Sequence, residues 1–245
     1  MKIIITESQY NRILKEEEEE QKVLRIPSLK FFRNDWFLLQ KFLESKGNPP
    51  YSIGGDLNLR HTEIESLGNL TSVGGALNLQ FTPIESLGNL ESVGGVLSLE
   101  GTPIKSLGNL KSVGGSLNLG LAPIESLGNL QSVGGNLDLR GISIESLGNL
   151  QSVGGDLYLV ETPITSLGNL TSVVGNLYGT FLPIESFGNL TSVGGDLNLT
   201  FTPIKSLGNL ESVGRDLGLY GTPLSKMYTK EQIREMLDVG GEIFM

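Results

Sequence analysis

The sequence predicts a repeat solenoid: a β-solenoid whose stacked coils form a parallel sheet, with small helical caps at both ends. Three observations predict it. Nearly the same twenty residues return through residues 51–222, as in GNLTSVGGDLNLTFTPIKSL from Gly188 and GNLESVGGVLSLEGTPIKSL from Gly88, with no insertion or deletion between copies. Columns twenty apart hold one residue type: Leu57, Leu77, Leu97 and onward to Leu217 without exception. The column two positions later is Leu in every copy but one, Gly179. A fixed period of this kind marks an elongated array in which each unit contacts only its neighbours.

Taken in order, residues 1–50 are a non-repetitive, helical N-terminal segment and cap. Thr6 with Gln9 fits a capping box that opens a helix through Tyr10, Ile13 and Leu14 into Glu16–Glu20, where consecutive carboxylates repel one another. A second helix is expected from about Asn34 to Lys46: Trp36, Phe37, Leu39, Phe42 and Leu43 recur at helical spacing, and Gly47 and Pro49-Pro50 end it. Its wide apolar face is expected to cover the first coil.

Residues 51–222 hold nine repeats. Ile64, Leu67, Leu70 and Val73 head four further apolar columns, so each coil turns six side chains inward. Leu197-Asn198-Leu199 alternates as a strand does, with Asp196, Asn198 and Thr200 pointing the other way. The Gly-Gly and Gly-Asn pairs mark turns, and the remainder, GNLxSVGGx, is expected to form turns or short 3₁₀ segments. One coil alone cannot offset the entropy of ordering its own backbone, so stacking must supply the stability. Residues 223–245 leave the period as a C-terminal helical cap: Thr229 with Gln232 makes a capping box, Ile233, Met236 and Leu237 form one apolar face, and Ile243-Phe244 returns as a short last strand. Helical ends keep terminal strands from stacking end to end.

Composition narrows the function. A net charge of −9 argues against a nucleic-acid partner and against an anionic membrane surface. The absence of cysteine removes thiol chemistry and favours a reducing compartment. The opening MKIIITESQY is too short in apolar residues for a signal peptide, and no stretch approaches a membrane span. A cytoplasmic monomer is expected. A single histidine, His61, removes histidine triads and zinc clusters. The Gly-Gly pairs fit neither a calcium-binding nonapeptide, because Leu197 stands second after Gly195, nor a phosphate loop, because no Lys follows at that spacing. Glu65, Glu85, Glu125, Glu145 and Glu185 share one column that reads as a solvated edge relieved by Lys105 and Lys205. No enzyme, cofactor or metal is expected.

The run Leu197-x-Leu199-x-x-Thr202-x-Ile204-x-x-Leu207 resembles the leucine-rich repeat, L-x-L-x-x-N-x-L-x-x-L, in a short twenty-residue form. That resemblance implies a right-handed solenoid with a parallel sheet on its concave face, and binding of other proteins by that face. The chain departs from the family in placing Thr62, Thr82, Thr102, Thr162, Thr202 and Thr222 where the ladder Asn usually stands; its own Asn column lies in the turn, from Asn69 to Asn209. Ala122, Ile142 and Leu182 replace Thr in that column, which argues for a buried site rather than a water-ordering, ice-binding surface. The helical ends resemble those of repeat proteins from phages and bacteria.

Function carried by the sheet face is expected in outward columns that vary between coils. Tyr158 and Tyr178 are vertical neighbours in one such column, flanked by Asp138, Arg140, Asp156 and Asn176, with Thr180 in the next. Phe181 and Phe201, with Phe81, extend an apolar strip at the sheet's edge. Exposed Tyr beside Arg is the composition of interface hot spots, so these nine residues other than Phe81 are the candidate site for a protein partner. The plainer alternative is that the tyrosines only stack as a cross-strand pair. A second functional reading is a structural, phage-like assembly component that docks through its N-terminal segment, with the solenoid as spacer. Val174, in place of Gly, and Gly179, in place of Leu, break two columns in one coil, as either a tolerated defect or a kink.

Overall fold

The computed structural model describes residues 23–245; the helix expected between Thr6 and Glu20 lies outside them. Each repeat contributes two short strands, as in Ser192–Val193 and Leu197–Asn198. Among the described residues these stack into two all-parallel sheets. One has eleven strands, from Leu24–Ile26 to Asp238–Val239, and the other ten, from Leu57–Asn58 to Ile243–Phe244. The molecule is a parallel β-solenoid with helical segments near its ends. Apart from one shift between Tyr51 and Ser52, where the first coil meets Leu70–Val73, register holds from repeat to repeat: Leu177 pairs with Leu157 and Leu197, and Val173 with Val153 and Val193.

Within GNLxSVGGx the Gly-Asn pair forms the turn expected, but Ser-Val pairs into a second, unexpected sheet. Its cause is the backbone. This segment is too short to satisfy its own amides in a helix, so they pair with the neighbouring coil instead. Gly194 donates to Val173 at 2.8 Å and Gly195 to Gly175 at 2.9 Å, and the same pair of bonds recurs down the stack. The branched Val turns into the core and the Ser turns out. Gly is favoured here by close approach, since a Cβ on Gly214 would overlap the carbonyl group of Gly194, although Val174 occupies the position in one coil.

The six apolar columns are buried along the array, apart from the half-buried Leu207 and the gap at Gly179, and the Thr column makes a seventh. Thr82, Thr102, Thr162, Thr202 and Thr222 are buried, each donating its hydroxyl to the carbonyl of the Leu three residues earlier at 2.7–2.8 Å. That bond lets a polar side chain sit inside. In the turns, Asn149, Asn189 and Asn209 donate their side-chain amides to the carbonyls of Gly128, Gly168 and Gly188 at 3.1–3.3 Å. The unusual coil is internally compensated: a Cβ at Gly179 would press into Leu182, which fills with its own side chain the volume that a Leu at 179 would occupy.

At the N-terminal end Leu24–Ile26 adds a strand to Tyr51–Ile53. A 3₁₀ turn follows over Leu29–Phe32, then helix α1, Trp36–Ser45, capped by the Asp35 carboxylate, which accepts from the Phe37 and Leu38 amides. Trp36, Leu39 and Leu43 cover the core, but Phe37 is 64% exposed, which corrects the wide face expected. One step of about 100° from Trp36 carries it off the stripe those three residues define. The Tyr51 hydroxyl, buried beneath α1, donates to the Leu67 carbonyl at 2.7 Å and accepts from Gln40 at 3.3 Å.

At the other end come α2, Leu224–Met227, and α3, Lys230–Met236, the latter opened by a Thr229–Gln232 capping box. Ile233 and Leu237 are buried, whereas Met236 stays exposed. Asp238–Val239 and Ile243–Phe244 then take the places of the next Ser-Val and Leu-x strands, pairing with Ser212–Val213 and Leu217–Gly218. Their spacing from the preceding coil is 26 residues rather than twenty, and the extra length is helix.

Truncating Leu157 to Ala should cost about 2–5 kcal/mol, because it opens a cavity in a buried column. Thr162→Val, which loses one hydrogen bond at nearly constant volume, should cost about 1 kcal/mol; chemical denaturation of both variants checks the order. Burial pushes the Tyr51 phenol up to about 12, partly offset by the Gln40 hydrogen bond. Its contribution to stability is therefore complete below the unfolded value of about 10 and is lost as pH rises toward the folded one. Thermal melts across that alkaline window should fall more steeply for the native chain than for Tyr51→Phe.

Candidate functional site

The outward position of the Leu-x-Leu strand has a local task in five coils, and Ser98 and Gly218 do not perform it. Asn58, Asn78, Asn118, Asp138 and Asn198 accept, through the side-chain oxygen, the amide N–H two residues on, at 3.0–3.2 Å. This bond closes the turn that ends the strand. Tyr158 and Tyr178 occupy the same position, and their hydroxyls lie too far out along the ring to accept that amide. What they form instead is a stack in register across two coils, ring centroids 5.2 Å apart and planes 18° from parallel.

Arg140 completes the group. Its guanidinium grips the Asp138 carboxylate with Nε at 2.9 and 3.2 Å and Nη2 at 2.5 Å, and its central carbon lies 5.1 Å from the Tyr158 ring centroid. The Tyr158 hydroxyl donates to Asp156 Oδ2 at 3.1 Å. The structure thus joins Asp138, Arg140, Tyr158, Tyr178 and Asp156 into one continuous contact chain, in which a cation sits on the first ring of an aromatic pair. Arg140 is exposed, while Asp138 and both tyrosines are half-buried.

Asp156 and Asn176 carry a second, scaffolding role. Asp156 Oδ1 accepts the Asn176 amide at 2.8 Å and its side-chain Nδ2 at 3.0 Å, and Asn176 Oδ1 accepts the Asp196 amide at 2.7 Å. The ladder extends from Ser116 to Glu242 through the residue that follows each Gly-Gly. Ala76 and Val96 lack an acceptor there, and the coils still stack.

Phe181 and Phe201 lie at a different place in the coil, the residue before the Thr column. Every repeat has φ between 55° and 75° there, a left-handed conformation. Gly101, Gly141 and Gly221 adopt it freely, but His61, Phe81, Leu121, Glu161, Phe181 and Phe201 adopt it at about 1–2 kcal/mol each. Phe181 and Phe201 are 56% and 48% exposed and stack at 5.2 Å; Tyr220 meets Phe201 edge-on at 5.4 Å. His61 and Phe81 form a similar stack near the other end, at 5.0 Å. Thr180 is half-exposed between Tyr178 and Phe181, and its carbonyl accepts the Glu161 amide of the preceding coil at 3.5 Å.

The sequence reading missed Leu121, 82% exposed, and Tyr220, both at the margins of this surface. Leu121 borders a notch of about 610 Å³ lined also by Gly120, Asp138, Arg140 and Gly141, open because two glycines and Ala122 leave space there. The alternation of Gly with bulky residues in the Phe81 column was the available signal, for it marks a left-handed position whose large side chains must point outward. A shallow trough of about 460 Å³ on the opposite sheet runs from Ser72 to Val174, but its lining repeats Ser, Val and Gly without a charge. Among the described residues no group of three or more His, Cys, Asp or Glu is placed to hold a metal, and no helix is long and apolar enough to cross a membrane.

No family model matches the chain, and no curated protein or solved structure matches it. Fold and surface together define a two-sheeted parallel β-solenoid repeat protein with an aromatic and arginine patch on one face.

The Arg140 hydrogen bonds hold the Asp138 carboxyl below its ordinary range, and the hydrogen bond to Asp156 raises the Tyr158 phenol. A lowered carboxylate contributes its stability above the unfolded value, about 3.9, and loses it as pH falls through the folded one. Arg140→Gln should move the Asp138 titration midpoint upward toward that value, as read by carboxyl-carbon nuclear magnetic resonance. An unmoved midpoint would mean that the pair is not formed in solution.

Proposed function

We propose that this chain is a non-enzymatic protein-binding module that uses its Leu-x-Leu sheet face. The observation that carries the proposal is the substitution at Tyr158 and Tyr178: two adjacent coils forgo the turn-closing hydrogen bond made by their neighbours and present a stacked pair with Arg140 lying on it. Large aromatics with an adjacent Arg, rimmed by polar side chains, are the groups that dominate protein interfaces. Backbone strain beneath Phe181 and Phe201 supports the same reading, because Gly would meet the backbone's demand without exposing an apolar ring. The resemblance of the Leu-x-Leu segment to leucine-rich repeats agrees with it. The partner is a protein, with a cytoplasmic setting expected from the absence of cysteine.

One observation favours the assembly reading. Phe31, Phe37 and Leu38 project from the N-terminal cap into solvent, a set suited to docking in a larger, phage-like complex. The two readings separate in one experiment, a quantitative pull-down from source lysate. The intact chain, a Tyr158→Ser/Tyr178→Ser variant and a Phe31→Ser/Phe37→Ser variant are compared, each checked for folding by circular dichroism. Loss of the captured protein only with the tyrosine variant supports the sheet face. Loss only with the phenylalanine variant supports docking through the cap and overturns the sheet-face proposal.

A further inference from the structure

A parallel solenoid has an assembly problem at each end, because the last coil presents the same hydrogen-bonding pattern that bound the coil before it. On the Ser-Val sheet that pattern combines bonds at the start of the strand, as from Glu211 to the Thr191 carbonyl at 2.8 Å and from Asp238 to the Glu211 carbonyl at 3.1 Å, with a pair made by the two residues after Val. Gly240 donates to the Val213 carbonyl at 2.9 Å and Gly241 to the Arg215 carbonyl at 3.0 Å, repeating what Gly214 and Arg215 do with the coil before. By register, the two carbonyls next in line to receive such a pair are those of Val239 and Gly241.

Both are already taken. Arg234 Nη1 donates to the Val239 carbonyl at 2.8 Å, and Nη2 donates to the Gly241 carbonyl at 2.6 Å. One planar guanidinium reproduces the two amide donors of a following Gly-Gly, in the fixed fork that only Arg supplies. The residue is delivered there by α3, the helix that makes this coil longer than the others. At the opposite edge of the same sheet, among the described residues, Ile26 pairs with Ile53, so Pro27 stands where Gly54 stands one coil later. Gly54 donates its amide to the Ile26 carbonyl at 2.8 Å, whereas Pro27 has no amide hydrogen to give.

The geometry assigns Arg234 and Pro27 as paired terminators that prevent a second copy of this chain from stacking end to end through the Ser-Val sheet. The surface they close is a self-complementary one: the carbonyls of Val239 and Gly241 at one end fit the Gly-type amides that would lie at positions 27 and 28 of the other. The array therefore ends by chemistry specific to two residues as well as by helical cover. This inference stands apart from the partner-binding face and does not depend on it.

Sedimentation velocity over a range of concentrations tests it, with four full-length chains: native, Arg234→Ala, Pro27→Gly and the double variant, each confirmed as folded by circular dichroism. Arg234→Gln, which cannot span both carbonyls, replaces Arg234→Ala if that variant does not fold. The native chain should sediment independently of concentration. The double variant should self-associate at least roughly tenfold more tightly than either single variant, since donors and acceptors are restored together. A double variant that sediments as the native chain does would overturn the assignment. Equal association with and without Pro27→Gly would also overturn it, because the contact would then not run through that edge.

Discussion

The structure rests on backbone hydrogen bonds that leave one coil and end in the next. Each repeat is too short to close its own ladders, so the amides of Gly-Gly and of Leu-x-Leu find acceptors only in the neighbouring coils. That requirement fixes the period. A coil longer or shorter by one residue would turn its whole inward set outward on a strand whose side chains alternate, which explains why residues 51–222 contain neither insertion nor deletion. Length changes only where the stack ends, in the 26-residue step to the last coil.

Within that frame, residues divide by what the neighbouring coil demands of them. Inward columns are held nearly to one shape, and the loss of a side chain at Gly179 is matched by Leu182 within the same coil. Close approach of backbones favours Gly at the first position of each pair, and the one exception, Val174, is accommodated with its side chain 66% exposed. Outward positions are free of such demands once the hydrogen bonds of the turn and the ladder are provided for. Aromatic residues gather at those free positions in the last coils, with Arg140 at their edge. The chemistry that varies is therefore carried by a scaffold that does not.

The terminal coils show the same constraint from the other side. A pattern that binds coil to coil so regularly has no internal reason to stop, and the chain supplies one at each end of the Ser-Val sheet through Pro27 and Arg234. Helix α1 meets the apolar part of the problem with Trp36, Leu39 and Leu43, and Ile233 and Leu237 meet it at the other end. Core cover and edge closure are separate tasks performed by different atoms.

By itself the sequence determined the solenoid, its parallel strands, its inward columns and the buried character of the Thr column, because each of these follows from a side-chain pattern repeated at a constant interval. Tyr158, Tyr178 and Arg140 were equally legible as departures from that pattern in an outward column. Only the tertiary structure decided the rest. The second sheet depends on where backbone amides of Ser-Val-Gly-Gly find partners, which no side chain reports. The scaffolding bonds of Asp156 and Asn176, the left-handed backbone beneath Phe181 and Phe201, and the exposure of Phe37 depend on the packing of one coil or helix against the next. Arg234 reads in the sequence as one more charged helix residue; its role exists only because α3 lays it across two carbonyls left over by the last strand.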